Sequence, residues 1–278
     1  MKGEKVRRVG CAGLMVLLLA LIFLSASYAF GITPSKVEVV VTPNEKYCGE
    51  YQLSNSGNDQ ALCVYVEIKD WEMSDSGGVT MLDQTPVDAS GQGWFRISSK
   101  KIIIPPNGTK KIKYTVVVPA QGLSEYRKYL IFRSGSVNEG KDDGVGFSMR
   151  IVSPFYAIVK GSEIIQFEVS DLTIKTVSPV QVDLSVHNAG NIHIRPTGVV
   201  TITKKGEATA LLSMEVNTPY PGWPILPGKS FRFSVTDKKS LDAGEYILEA
   251  QFTENGRVTD KKVAFTVNDK GELPLAEK

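Results

Sequence analysis

The sequence predicts an all-β protein, with two immunoglobulin-like β-sandwich domains after a cleaved signal peptide. Three observations predict this fold class. Apolar and polar residues alternate along most of the chain after Ala29, and the alternating runs are bounded by Gly, Pro, Asn and Asp. No segment carries the sustained apolar stripe of an amphipathic helix. Several short strands at such spacing are typical of sandwiches.

The N-terminus has the three parts of a secretory signal peptide. Its basic part contains Lys2, Lys5, Arg7 and Arg8. An apolar run from Gly13 to Leu24 follows, and Ser27-Tyr28-Ala29 supplies a small–x–small cleavage site. The alternative is an uncleaved membrane anchor, but the run is shorter than the roughly 20 residues of a spanning helix. We therefore expect cleavage of residues 1–29, export to the periplasm or beyond, and no membrane span in the mature chain.

Composition excludes one class of partner. The formal net charge is +2 and includes the basic signal peptide. Nucleic-acid binding needs a strongly basic surface, so we expect no nucleic-acid partner. The 42% hydrophobic content is sufficient for packed cores.

Two series of strands predict two domains, at residues 30–160 and 161–268, with a polar tail at 269–278. The first series contains, among others, Leu62–Lys69, Lys111–Val118 and Arg127–Phe132, with turns such as Pro105–Gly108. The second contains Val180–His187, Gly198–Thr203, Ser230–Val235, Glu245–Phe252 and Lys262–Val267. Asn255-Gly256 is a strong hairpin signal in the second series.

Two cysteines remain after the signal peptide, Cys48 and Cys63. An even count in an exported chain favours a disulfide, and two free thiols are the alternative. Closing a loop of this length would stabilise the fold by about 3 kcal/mol.

Several local patterns follow one another along the first domain. They are Ile32–Val39, Leu53–Ser56, Val66–Trp71, Phe95–Ser98, Ile104–Gly108, Lys111–Val117, Tyr129–Phe132 and Phe147–Lys160. In this order they resemble the periplasmic pilus-chaperone (PapD-like) superfamily. The second domain resembles it only as a generic sandwich. The resemblance implies a chaperone that donates an edge strand to an immature pilin-like or other secreted subunit, with an outer-membrane usher as a further partner.

In that family the last strand of the first domain is the donated one. The resemblance makes Val145, Phe147, Met149 and Ile151 the donated side chains, because alternate residues of a strand share one face. The alternative is that they face their own core. The family also anchors its client's terminal carboxylate with an Arg and a Lys. Lys36 and Tyr156 stand at those positions here, so the resemblance implies a weakened or absent anchor.

No residue pattern suits catalysis. His187 and His193 are the only histidines, and we interpret them as polar residues flanking the Asn188–Asn191 turn. We expect no catalytic site, metal or cofactor. The leading hypothesis is a non-catalytic periplasmic chaperone for surface-fibre subunits. The alternative is a structural or adhesive component of a cell-surface assembly, and an enzyme or carbohydrate-binding module is the least favoured class.

Overall fold

A computed structural model of the chain describes residues 30–57, 60–82, 93–136, 148–219 and 222–273. The predicted signal peptide and the last residues of the predicted tail lie outside the described residues, as do Val145 and Phe147. All regular elements within these ranges are β-strands, and they form four sheets. The prediction of an all-β fold is therefore confirmed.

The first sandwich is formed by strands β1 to β10. Their bounds are β1 Phe30–Thr33, β2 Val37–Val41, β3 Tyr47–Asn55, β4 Leu62–Met73, β5 Val79–Leu82, β6 Phe95–Ile97, β7 Lys101–Ile104, β8 Thr109–Val116, β9 Glu125–Ser136 and β10 Arg150–Val159. One sheet has the order β1-β3-β8-β6. The other, here the larger sheet, has the order β2-β10-β9-β4-β5, and β7 also pairs with β4.

The second sandwich is formed by strands β11 to β17. Their bounds are β11 Phe167–Val177, β12 Val180–Asn188, β13 Thr197–Lys204, β14 Ala210–Val216, β15 Ser230–Asp237, β16 Gly244–Glu254 and β17 Arg257–Val267. The sheet orders are β11-β12-β15 and β14-β13-β16-β17. The domain boundary predicted at residues 160 and 161 falls in the connection between β10 and β11.

Strand β12 illustrates how the alternating sequence produces these strands. Every second residue from Val180 to Asn188 is buried, and the residues between them are half-buried. Because successive side chains of a strand point to opposite faces, this pattern turns one face to the core. The β-branched residues on the buried face also suit the pleated backbone.

Each pair of sheets encloses an apolar core. In the first sandwich Leu53 of β3 packs in one cluster with Val64 of β4 and Phe132 of β9, and none of the three is exposed. In the second, Val182 of β12 and Leu248 of β16 are equally buried. Burying a side chain of this size contributes about 1.5–3 kcal/mol.

The two sandwiches share an apolar interface. Trp71, Met73, Tyr129 and Tyr156 point outward from the larger sheet of the first sandwich and belong to the core cluster of the second. The rings of Trp71 and Tyr129 stack with centroids 4.3 Å apart, and Tyr156 meets Trp71 edge-on at 6.0 Å. The sandwiches are thus joined by buried aromatic surface.

The predicted Cys48–Cys63 disulfide is wrong in this structure, where both thiols are free. Cys48 lies on β3 beside Thr115 and is exposed, whereas Cys63 is buried on β4. The core residues of these strands, such as Leu53 and Val64, have the opposite parity, so the two thiols point outward from opposite sheets. Side chains that point outward from opposite sheets point away from each other, so a disulfide cannot join them without backbone movement.

Among the described residues there is no helix long and apolar enough to cross a membrane.

Candidate functional site

Strand β10 has one edge that is only partly covered. It pairs antiparallel with β9 from Arg150 to Ile158, and on its other side β2 pairs parallel with residues Phe155 to Val159. No described strand pairs with that second side from Arg150 to Pro154. This stretch is called the open edge below.

The open edge exists because the chain changes sheets between β1 and β2. Strand β1 pairs with β3 in the smaller sheet, and β2 begins at Val37 in the larger one. Pro34, which follows a cis peptide bond, lies in this crossing. Since β2 reaches β10 only at Phe155, no strand among the described residues pairs with this side of the preceding residues of β10.

Hydrogen bonds at both ends of β10 determine which backbone groups face the open edge. The Ser134 N–H donates to the Met149 carbonyl at 2.8 Å, so residue 149 faces β9. Lys160 N–H donates to Val41 of β2 at 2.9 Å, so even-numbered residues face the other side. Because the directions alternate along a strand, Arg150 and Val152 each turn an N–H and a C=O to the open edge.

The side chains along this part of β10 become more buried toward its middle. Met149 is 42% exposed, Ile151 is half-buried against the first core, and Ser153 is fully buried with its Oγ 3.2 Å from the Tyr51 hydroxyl. The three belong to one face of the strand. Of the four predicted donor residues, the structure therefore places two on that face, at the rim of the sandwich.

The two residues of the predicted carboxylate anchor, Lys36 and Tyr156, lie in different surroundings. Tyr156 is 1% exposed and lies under the second sandwich, with its ring stacked on His193 at 4.0 Å. Burial also raises the pKa of its phenol. Tyr156 is therefore buried between the two sandwiches in this structure, and its role as an anchor stays a prediction. Lys36 is half-buried with its Nζ 3.1 Å from Glu38 Oε1, and its role as an anchor stays a prediction.

Beside Tyr156 lies a cluster of charged residues that sequence reasoning missed. Glu38 of β2 and Glu125 of β9 come from the first sandwich, and His193 and Arg195 come from the connection between β12 and β13. His193 Nδ1 is 2.5 Å from Glu125 Oε2, and its Nε2 is 3.1 Å from Glu38 Oε1. Arg195 also donates to Glu38, and its guanidinium lies 5.2 Å from the ring centroid of Tyr156.

The cluster favours a protonated imidazole and two ionised carboxylates. Burial acts to lower the pKa of His193, but its bonds to Glu125 and Glu38 outweigh this effect and raise the pKa. Burial acts to raise the pKa of Glu125, and the hydrogen bond and charge of His193 instead hold it below its usual range. For Glu38 the bond to His193 and the charge of Arg195 outweigh burial and lower the pKa to about 2.

This arrangement suits a structural joint better than catalysis. Nδ1 faces Glu125, and Nε2 is in contact with both Glu38 and the Arg195 guanidinium at 2.8 Å, so neither nitrogen is open to a substrate proton or a metal. Within the described ranges, no group of three His, Cys, Asp or Glu residues is arranged to hold a metal. The interpretation of His193 as a simple turn-flanking residue was incomplete, since its partners lie far away in sequence. His187, in contrast, has its Nδ1 3.1 Å from Ser230 Oγ, within the second sandwich.

Two further contacts join the sandwiches. Asp75, in the turn between β4 and β5, accepts hydrogen bonds from the Arg232 guanidinium of β15. Asn191 Nδ2 donates to Ser124 Oγ at 2.8 Å. With the aromatic interface and the charged cluster, these contacts fix the second sandwich against the face of the larger sheet and leave the open edge at its rim.

No protein-family model matches the chain, and no curated protein matches its sequence. Among solved structures, it is similar to the class 5 fimbriae chaperone CfaA, with 12% identity, a TM-score of 0.48, and coverage of 84% of this chain and 98% of that one. The E. coli chaperone DraB has 12% identity, a TM-score of 0.43 and coverage of 85% and 95%. The CsuC–CsuE chaperone–tip adhesion subunit complex of Acinetobacter baumannii Csu pili has 15% identity, a TM-score of 0.44 and coverage of 85% and 97%.

Proposed function

We propose that this chain is a non-catalytic, chaperone-like protein that binds an immature secreted subunit by offering it the open edge of β10. The observation that carries the proposal is the side of Arg150 to Pro154 with which no strand in the described part of the chain pairs. A strand that docks there would extend the larger sheet. The sequence resemblance to pilus chaperones supports the same assignment.

The physical basis of such binding is β-strand addition. Backbone hydrogen bonds supply affinity, and alternate side chains fill pockets of the partner. Here the N–H and C=O groups of Arg150 and Val152 supply the bonds, while Met149 and Ile151 supply apolar side chains. By periodicity, Val145 and Phe147 would continue this face. Each side chain would contribute about 1.5–3 kcal/mol if the client buried it fully.

The remaining parts of the proposal concern partner and compartment. We propose a pilin-like or other secreted subunit as client, an outer-membrane usher as further partner, and the periplasm as the site of action. The signal-peptide pattern at 1–29 and the resemblance support these assignments.

Two proline variants of neighbouring residues test the docking mode. Val152→Pro removes an N–H that faces the open edge, whereas Ile151→Pro removes one that faces β9. The probe is a library of extended peptides with apolar residues at alternate positions, selected on immobilised wild-type protein. We expect Val152→Pro to fold and to lose peptide binding, and Ile151→Pro to lose stability. Undiminished binding by folded Val152→Pro would contradict the proposal.

A structural or adhesive scaffold is the second candidate. The observation in its favour is the interface in which Trp71, Tyr129 and Tyr156 join the core of the second sandwich, because such an interface makes a stiff unit. A scaffold has no need of the open edge. It would therefore be favoured if wild-type protein selected no strand peptide.

A further inference from the structure

The outer face of the larger sheet carries a row of side chains that ends at the open edge. Strand pairing places Lys101 of β7 opposite Tyr65 of β4, Tyr65 opposite Arg133 of β9, and Arg133 opposite Arg150 of β10. The core-facing residues Val64 and Phe132 have the opposite parity, so the row points away from the core. It crosses four strands, with Lys101 on one side of Tyr65 and Arg133 followed by Arg150 on the other.

Tyr65 already interacts with the two cations that flank it. Lys101 Nζ and Arg133 Cζ each lie 5.3 Å from the centroid of its ring. Arg150 is exposed at the end of the row, and in the part of the chain that the structure describes no carboxylate forms an ion pair with Arg133 or Arg150. The positive charge at the outer end of the row is therefore not neutralised by a carboxylate of the described residues.

The pairing geometry brings Arg133 and Arg150 close together. Residue 149 exchanges hydrogen bonds with β9, so the pair formed by Arg133 and Arg150 is a non-hydrogen-bonded one. Side chains of such pairs are the closer ones in an antiparallel sheet, and like charges directly opposite each other are destabilising. A negative group beyond Arg150 would relieve this repulsion.

We infer that the strand docking on the open edge carries an aspartate or glutamate directly opposite Arg150 and an apolar residue opposite Val152. The inference rests on the proposed function, and it names the chemistry of the client strand. An added strand continues the row across the sheet, so its residue opposite Arg150 lies beside the guanidinium. Two positions along the strand, Val152 is 36% exposed and offers apolar surface to its cross-strand neighbour.

The same row would discriminate against the wrong strand. A lysine or arginine opposite Arg150 would add a third cation next to Arg133 and Arg150. A cross-strand pair of charges changes affinity by about two- to fivefold. The preference for an acidic over a basic strand is larger, because the acidic residue is attracted to Arg150 and the basic residue is repelled by it. Because the row is exposed, added salt should weaken this preference.

Library selection with three forms of the full protein tests the inference. The library contains extended peptides with apolar residues at alternate positions and random residues between them. The forms are wild type, Arg150→Glu, and Lys113→Glu, which makes the same change of charge at an exposed site on the other sheet. We expect wild type and Lys113→Glu to enrich Asp or Glu at one position, and Arg150→Glu to enrich Lys or Arg there.

Binding of single selected peptides makes the result quantitative. Replacing the enriched acidic residue by lysine should weaken binding to wild type by about fivefold or more, and Arg150→Glu should reverse the order. Equal affinities of the acidic and basic peptides for wild type would overturn the inference and leave the docking proposal intact. A failure of wild type to select any peptide would overturn both.

The alternative to a client strand at the open edge is a second copy of this chain. Light scattering during size-exclusion chromatography distinguishes it, since edge-to-edge pairing would place Arg150 of one copy near the same cationic row of the other. A monomer whose mass does not change with Arg150→Glu is the expected result. A dimer that Arg150→Glu strengthens would overturn the assignment of the edge to a client strand.

Discussion

His193 Nδ1 lies 2.5 Å from Glu125 Oε2, and the same oxygen accepts the backbone N–H of His193 at 2.8 Å. One carboxylate at the start of β9 thus holds both the ring and the main chain of a connection in the second sandwich. The Glu125 side chain is 1% exposed and that of His193 is 5% exposed. The pair is therefore a buried electrostatic joint between the two sandwiches.

Breaking this joint on one side should be strongly destabilising. Glu125→Ala would leave the protonated His193 and its N–H without their buried partner, at a cost of about 3–5 kcal/mol in the free energy of unfolding. Urea unfolding measures this loss. Glu245→Ala is the matched control, because Glu245 pairs with Lys205 in a mostly exposed ion pair and should matter little. Equal effects of the two changes would contradict the assigned role of Glu125.

The joint also predicts how stability depends on pH. The groups that face His193 are Glu125, Glu38, Arg195 and Tyr156, and Glu254 is close enough to interact with its charge. The pKa of His193 is raised above its usual 6.5, so its contribution is complete below about pH 6.5 and is lost as pH rises through the folded-state pKa. The carboxyl pKa values are lowered from 4.5, so their contribution is present above about pH 4.5 and is lost as pH falls through the folded-state values.

We therefore expect the stability difference between wild type and His193→Asn to be largest between about pH 4.5 and 6.5 and to shrink at alkaline pH. Thermal unfolding across the pH range measures it. A difference that falls as pH drops below about 6.5 and stays constant at higher pH would mean that His193 is neutral in the folded protein.

Local patterns in the sequence predicted the strands well, because alternation is a property of neighbouring residues. In β12, for example, the buried set can be identified from Val180 to His187 alone. The joint could not be predicted in this way. His193 is separated by 68 residues from Glu125 and by 155 residues from Glu38, and only the folded chain brings them together.

The sequence also does not predict which face of which sheet a side chain lies on. The count of cysteines favoured a disulfide, but the count contains no information on which sheet face carries each thiol. The open edge was equally invisible, because it depends on where β2 begins to pair with β10. A strand pattern predicts a strand and leaves its neighbours undetermined.

The two thiols should react at very different rates. Cys48 is exposed on β3, so a thiol reagent should label it in the native protein, whereas buried Cys63 should be labelled only after unfolding. Mass spectrometry of exported protein, labelled before and after denaturation without reductant, counts both. Cys48→Ser is the control and should remove the native-state label. A protein with no free thiol after denaturation would restore the disulfide.

Lys36 should make a modest contribution to binding of a client's terminal carboxylate. Its ammonium is already paired with Glu38 and both side chains are about a third exposed, so the gain is limited. For a selected peptide with a free terminal carboxylate, we expect Lys36→Ala to weaken binding by no more than about fivefold. Amidating the peptide should have the same effect without additivity. Full additivity would show that Lys36 does not contact the carboxylate.

Met149 separates the chaperone from the scaffold most directly. It is 42% exposed at the rim of the first sandwich, so Met149→Glu places the new charge in water in the free protein. The change should alter the free energy of unfolding by about 0.5 kcal/mol or less. In a complex the same charge would be buried in the apolar groove of a client, which is costly without a partner. We therefore expect nearly wild-type melting together with loss of binding to selected strand peptides.

Phe155 supplies the control for this test, because it lies on the same face of β10 and is fully buried in the first core. Phe155→Glu should unfold the protein, since the charge is then buried at home without a partner. Both variants introduce a glutamate on the same face of the strand, so the contrast between them depends on the position along the strand. If Met149→Glu also lowered the melting temperature strongly, Met149 would belong to the protein's own core and could not be donated. If it melted normally and bound peptides as wild type does, the donated face would lie elsewhere.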